Sequence, residues 1–373
     1  MKHSIKSAAA LCLVAGGVDA GALDRTGQPV DVLFEDGRYI EFSFAAVSPD
    51  LSGRSISAFP NGTGSGDISP SYFQFAGAYK ADINGRWSYA LILDEPFLAD
   101  VSYPVGTGYF AAGSSAEFNS VALTGLLQYN VQNGVSVYGG LRLQRVDADA
   151  EIIFAGLASL SGGYTVVADG DFGLGYVAGV AYERPDIALR VSLTYNSEVS
   201  HRNETTENSA ALGGPNSSVT EFETPQSVNL AFQTGIAQDT LLFGGMRWVD
   251  WSDFELTPTN YSTLTGGASL LSYAEDVYTY TLGVGRRINN TWSVAASIGY
   301  EETQGNLFTN LGPSDGQRSV GLAAIYTQGN MKVTTGIRYV RIGDTTTGVG
   351  GAAAASFENN DAIAFGMKIG YTF

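Results

Sequence analysis

Residues 361–373 read DAIAFGMKIGYTF. Ile363, Phe365, Met367, Ile369, Tyr371 and Phe373 occupy alternate positions, with Ala364, Gly366, Lys368, Gly370 and Thr372 between them. Successive side chains of a strand point to opposite faces. This period of two therefore predicts a strand with one wholly apolar face and one small or polar face that carries a lysine. Two settings accept such a strand. In a soluble sheet the apolar face meets a core. In an outer-membrane barrel it meets lipid, and the small, polar face lines the lumen.

Composition favours the second setting. The chain has 373 residues, of which 47 are Gly, 20 Tyr and 19 Phe, and only 15% are charged. Glycine is well above its average share of about 7%. Glycines tolerate the curvature of a barrel, and aromatics collect at its two membrane interfaces. The net charge of −17 argues against a nucleic-acid partner.

Residues 1–20 (MKHSIKSAAALCLVAGGVDA) have the form of a secretory signal: Lys2 and Lys6, then a short apolar stretch, then a small-residue cleavage site after Ala20 or Ala22. Beyond it no apolar run reaches the length of about 18 residues that a membrane helix needs. Cys12 and His3 fall within this leader, which leaves His201 as the histidine of the mature chain. Neither a disulfide, nor a Cys-ligated metal site, nor a Ser-His-Asp or Cys-His arrangement can be assembled from that set. No catalytic residue and no cofactor is expected.

The alternation recurs along the chain. Strands are expected near residues 38–47, 70–80, 86–93, 116–130, 135–147, 168–183, 187–199, 221–235, 240–254, 276–287, 292–301, 317–327, 331–343 and 361–373. Tight turns fall at Asn84-Gly85, Asn133-Gly134, Arg184-Pro185-Asp186, Ala237-Gln238-Asp239, Ile288-Asn289-Asn290 and Gln328-Gly329-Asn330. The intervening connections, such as 48–69 and the polar stretch 200–220, are long. An even strand count with strictly alternating long and short connections is the outer-membrane barrel pattern. A soluble β-sandwich has no reason to keep such parity, and a β-helix would show a fixed repeat length. The expected architecture is all-β: a 14-stranded antiparallel transmembrane β-barrel over residues 38–373, preceded by a plug or hatch segment, residues 21–37. As the last strand, 361–373 must pair with the first, so that no edge remains.

Three segments carry a family resemblance. Residues 21–44 (GALDRTGQPVDVLFEDGRYIEFSF) resemble the mature N-terminus of one branch of the outer-membrane long-chain fatty acid and hydrocarbon transporters, the FadL type. Thr224-Pro225-Gln226-Ser227-Val228 and the later Met246-Arg247-Trp248-Val249-Asp250-Trp251-Ser252-Asp253-Phe254 resemble that family's P-x-S and W-x-x-W-S-x-F strands. Residues 276–300 and 313–339, with Arg318, resemble its last hairpins. The resemblance implies a fourteen-stranded barrel whose lumen is blocked by an N-terminal hatch and through which hydrophobic substrates diffuse without an energy source. The better-known members carry a longer hatch with an Asn-Pro-Ala motif. That motif is absent here, so their closure mechanism does not carry over.

A base on the lipid face at mid-membrane costs roughly 2–4 kcal/mol, so mid-strand bases should face inward. By alternation Arg142, Arg190, Arg247, Arg338 and Lys368 do. They either pair with Glu41 and other lumen carboxylates or hold a fatty acid carboxylate through charge-assisted hydrogen bonds. Tyr72, Tyr138 and Phe243, with Leu23, Leu33 and Phe34 of the hatch, are candidates to line an apolar path, although Leu33 and Phe34 could equally serve only to seat the hatch. Pro96 ends a ladder, or opens a gap in the wall for lateral exit. Arg145, Arg318 and Arg341 sit near the outer ends, where lipopolysaccharide phosphates would be met. Tyr195, Trp248, Tyr278, Trp292, Tyr300, Tyr371 and Phe373 are expected in the interface girdles. Phe373 also resembles the terminal signal read by the barrel assembly machinery. The expected protein is a monomer with both termini in the periplasm. Two other functions fit a barrel: a general or small-solute porin, and a surface adhesion barrel.

Overall fold

The computed structural model describes residues 23–56, 59, 61–154, 160 and 162–373, so the expected signal sequence lies outside the described residues. The strands are β1 (Tyr39–Asp50), β2 (Tyr72–Asp82), β3 (Trp87–Asp94 and Leu98–Ser102), β4 (Ser115–Gln132), β5 (Val135–Ile152), β6 (Tyr164–Arg184) and β7 (Leu189–Asn196 and Val199–Ser209). There follow β8 (Gly214–Thr224 and Ser227–Ala237), β9 (Thr240–Val249), β10 (Val277–Arg287), β11 (Trp292–Glu301), β12 (Gln317–Gln328), β13 (Met331–Ile342) and β14 (Asp361–Thr372). Among the described residues these form a closed antiparallel barrel of fourteen strands, three of them interrupted by a local irregularity.

β14 closes the barrel on β1 in continuous register, from Tyr39↔Thr372 to Asp50↔Asp361. Its apolar face turns outward, with Phe365 48% exposed. Its small face turns inward, with Lys368 only 4% exposed. Every strand of a closed barrel has two partners, so the backbone hydrogen bonds are met without a free edge.

The glycine content has a local cause. Inward aromatics lie flat across inward glycines of the neighbouring strand. Tyr138 covers Gly179 and Phe243 covers Gly283, and at either glycine an added Cβ would come within 2.3 Å of the ring. The turns follow their residues too. Asn133 (φ +55°) and Gly134 (φ +81°) form a two-residue hairpin with both residues left-handed, which Asn-Gly adopts at little cost. At 83–86 the Asn84 side-chain oxygen instead accepts from the backbone N–H groups of Arg86 (2.9 Å) and Trp87 (3.1 Å).

One connection differs from expectation. Residues 200–220 are not a loop: β7 runs to Ser209 and β8 begins at Gly214, joined by a short turn. The outward positions here are Glu198, Ser200, Arg202, Glu204, Thr206 and Asn208. A wholly polar outward face of this kind is not one that lipid tails would accept. The inward positions include His201, Asn203, Thr205 and Glu207, all buried. With polar residues on both faces the hydrophobic alternation disappears although the strand continues. His201 is thus not in a loop but stacked on Phe222 at 5.5 Å between ring centroids.

β5 shows the same transition. Its outward residues change from Val137, Leu141 and Leu143 to Arg145, Asp147, Asp149 and Glu151 toward the long-connection end. The long connections build a cap there. Short strands within 52–67, 307–308 and 345–357 make a separate five-stranded sheet. The connection 250–276 contains a short helix, α1 (Thr259–Thr265).

Candidate functional site

Residues 23–37 run through the barrel interior and are fastened to several sides of it. Asp24 accepts from Arg247 Nε of β9 at 2.5 Å. Arg247 also donates to the Gly27 carbonyl, Ser227, Asn229 and Gln28, and Asn229 Nδ2 donates to the same carbonyl at 2.8 Å. At the other end Glu35 accepts from Lys332 of β13 at 2.9 Å. Lys80 of β2 donates to the Glu35 and Gly37 carbonyls at 2.8 and 3.2 Å. Arg190 of β7 pairs with Glu183 at 2.8 Å and lies over the Phe34 ring at 4.4 Å. Between these ties Val30, Val32 and Leu33 pack with Tyr39, Leu126 and Tyr138.

The wall is irregular where residues 23–25 meet it. Pro96 has no N–H and cannot continue a ladder. Across Glu95-Pro96-Phe97 the register of β3 on β4 slips by one residue, from Asp94↔Ala122 to Leu98↔Asn119: a β-bulge. On its other side β3 leaves β2, whose pairing with it ends at Gly77↔Leu93, while β2 itself continues to Tyr72 along β1. Two groups cover the edges so exposed. The N-terminal segment takes one: Asp24 bridges Phe97, with Arg25 N donating to Pro96 O and Leu98 N to Leu23 O, both at 2.9 Å. Glu95 takes the other, accepting from Phe75 N at 3.1 Å. The result is an opening in the wall between residues 72–76 of β2 and the bulge of β3.

A cavity of about 270 Å³ lies between the N-terminal segment and the wall. Thr26 to Val32 line it on one side. Opposite stand mainly small side chains: Ser43 and Ala45 of β1, Ala78 of β2, Thr281 of β10, Ser297 of β11 and Ala323 of β12. Arg247, Arg338, Lys368, Asp31, Glu41 and Asp94 add charge. Gln74 to Gly77 on one lip of the wall opening, and Ile92 and Asp94 on the other, belong to the same lining.

Of the residues singled out by alternation, Phe243, Arg247, Arg338 and Lys368 line this cavity. Lys368 pairs with Glu41 at 3.3 Å, as its place opposite that strand suggests. Arg338 donates to Ser319 at 3.0 Å. Arg142 is buried elsewhere in the lumen and donates to Thr124 at 3.0 Å. Leu23 packs with Phe97 and Trp251 toward the long-connection end. Leu33, Phe34 and Tyr138 pack together where the hatch is seated. Tyr72 packs beneath the cap, with Arg25 5.8 Å from its ring. Near the outer ends Arg145 pairs with Asp147, Arg341 donates to Asn359 at 2.6 Å, and Arg318 lies 6.0 Å from the Tyr300 ring. Lys80, Lys332 and Asp24 were missed. The alternation that turns Gln74 and Arg338 inward also turns Lys80 and Lys332 inward, so that signal was available. Asp24 had none, because it lies in a segment without periodicity.

Fold and lumen together define a class: a closed β-barrel of the outer-membrane type whose interior holds the N-terminal segment. The family model described as outer membrane protein transport protein (OMPP1/FadL/TodX) matches residues 39–310, well over half of the chain, and the chain belongs to that family. The fold is similar to that of a Pseudomonas aeruginosa FadL homologue (TM-score 0.75, 14% identity, 92% of each chain covered). It is also similar to the P. putida toluene transporter TodX (TM-score 0.67, 13% identity, 92% of each chain). A third likeness is to the Ralstonia pickettii toluene transporter TbuX (TM-score 0.62, 13% identity, 92% of this chain and 91% of that one). A search of curated protein sequences returns no match. The family and these neighbours are transport proteins, not enzymes.

Proposed function

We propose that this protein admits long-chain fatty acids or similar hydrophobic molecules across the outer membrane by diffusion. In this reading the long connections face the cell exterior and both termini the periplasm. Residues 23–37 act as the hatch, and substrate leaves sideways through the wall opening at Pro96. The observation that carries it is the cavity, whose lining joins the hatch to both lips of that opening. A hatch tied to β2, β3, β7, β8, β9 and β13 speaks against an open aqueous pore.

The energetics are adequate. Each buried methylene contributes about 0.8 kcal/mol. Ten of them contribute a gross of about 8 kcal/mol, from which the ordering costs of binding are subtracted. Arg247, Lys332, Lys368 and Arg190 have carboxylate partners in Asp24, Glu35, Glu41 and Glu183, so in this reading the apolar tail supplies most of the affinity. Labelled oleate uptake in cells with and without the protein tests the reading. Faster uptake with the protein is expected. Equal uptake, together with admission of small hydrophilic solutes, would replace the transporter by a porin.

A further inference from the structure

Gln74 stands at the mouth of the wall opening. It lies on β2, three residues beyond the last pairing of that strand with β3, between the outward Phe73 and Phe75. Its side chain is 5% exposed and belongs to the lining of the cavity. Both polar atoms of its amide, Oε1 and Nε2, are buried without a hydrogen-bond partner. Across the opening Asp94 keeps one oxygen, Oδ1, in the same condition, while the other accepts from Thr26 at 2.9 Å. Buried polar groups are nearly always paired, and an exception calls for a reason. The rest of this lip is Phe75, Ala76 and Gly77, none with a polar side chain. An amide that can donate and accept at once, unpartnered in the lining of this cavity, suits a visitor with one hydrogen-bonding group.

We propose that Gln74 is a specificity-determining residue. It engages the head group of an apolar chain, an alcohol or a carboxylic acid, at the point where the cavity meets the wall opening, and so favours such molecules over plain hydrocarbons. This rests on the reading of the cavity as the substrate's path.

Equilibrium binding of labelled dodecanol, dodecanoate and dodecane to the purified detergent-solubilised protein tests the proposal, comparing the native chain with Gln74→Leu. Loss of one hydrogen bond should weaken dodecanol about tenfold, equivalent to roughly 1.4 kcal/mol, and dodecanoate by no more than that, with dodecane unchanged. A parallel fall for all three ligands, which would mark a change of cavity shape, overturns the proposal, and so does no change in any. If Gln74→Leu does not assemble, judged by heat-modifiable gel mobility, Gln74→Met is compared in the same way. A crystal structure of the native protein with dodecanol needs no variant. The alcohol oxygen within about 3.2 Å of the Gln74 amide supports the proposal, and a position elsewhere overturns it. Binding is read here without uptake. Head-group selection by Gln74 in a protein that leaves oleate uptake unchanged would therefore sink the transport reading alone.

Discussion

Asp24 and Arg247 are 223 positions apart in sequence and 2.5 Å apart in space. Both side chains are about nine-tenths buried. A buried ion pair adds little net stability, because desolvation offsets the attraction, but removing one member leaves an uncompensated charge and costs about 3–5 kcal/mol. Arg247 therefore fixes the position of residues 24–28 in the barrel interior. Asp24→Ala should loosen that end while Glu35 still holds the other. In planar bilayers the variant is expected to show more frequent open events than the native protein. An unchanged conductance record would mean that the Lys80, Lys332 and Glu35 contacts hold the hatch alone.

At the scale of the element, the β7–β8 extension carries the connection 250–276. Glu207 is fully buried and accepts from Tyr164 Oη (2.7 Å), Ser218 Oγ (2.8 Å), Asn260 Nδ2 (2.7 Å) and the backbone N–H groups of Asn260 (3.1 Å) and Tyr261 (2.8 Å) at the start of α1. Burial by itself would raise its pKa. The hydrogen bonds from Tyr164, Asn260, Ser218 and Tyr261 outweigh it and hold the carboxyl below its usual range. A carboxylate with a lowered folded-state pKa contributes stability that is present above the unfolded value and is lost as pH falls through the folded one. Hydrogen exchange at the Asn260 and Tyr261 amides, corrected for intrinsic rates, should thus be slow at neutral pH and accelerate only as the pH falls below the usual carboxylate range. Glu207→Ala should remove the docking at neutral pH, a local cost of about 3 kcal/mol. Equal protection in both proteins would show that the apolar contacts of Leu256, Leu270 and Leu271 dock the segment unaided.

For the whole molecule, closure of β1 on β14 makes the barrel one cooperative unit. The C-terminal residue contributes little to that closure. The pairing ends at Thr372, and Phe373 is 65% exposed, adding one backbone hydrogen bond to Arg38 (2.8 Å) and an edge contact with Tyr371. We propose that it serves recognition by the assembly machinery. Deleting Phe373 should lower the amount of heat-modifiable barrel in the outer-membrane fraction, although the β1–β14 register remains intact. Normal amounts would reduce Phe373 to a girdle aromatic.

The alternation in residues 361–373 and its recurrences determined the barrel, its fourteen strands, its closure and the inward side of Lys368, Arg247 and Arg338. A period of two is local and needs no knowledge of the partner strand. The signal failed where its cause failed: beyond the hydrocarbon layer both faces of 198–209 are polar, and a continuing strand reads as a loop. Tertiary structure alone decided the rest. It showed that Arg247 and Lys332 are engaged by the N-terminal segment, that β3 leaves β2 at Pro96, and that the same segment pairs with the edge so exposed. Those contacts join positions such as Asp24 and Arg247, or Glu35 and Lys332, which share no period and no spacing. They meet only because the closed wall brings distant inward faces around one lumen.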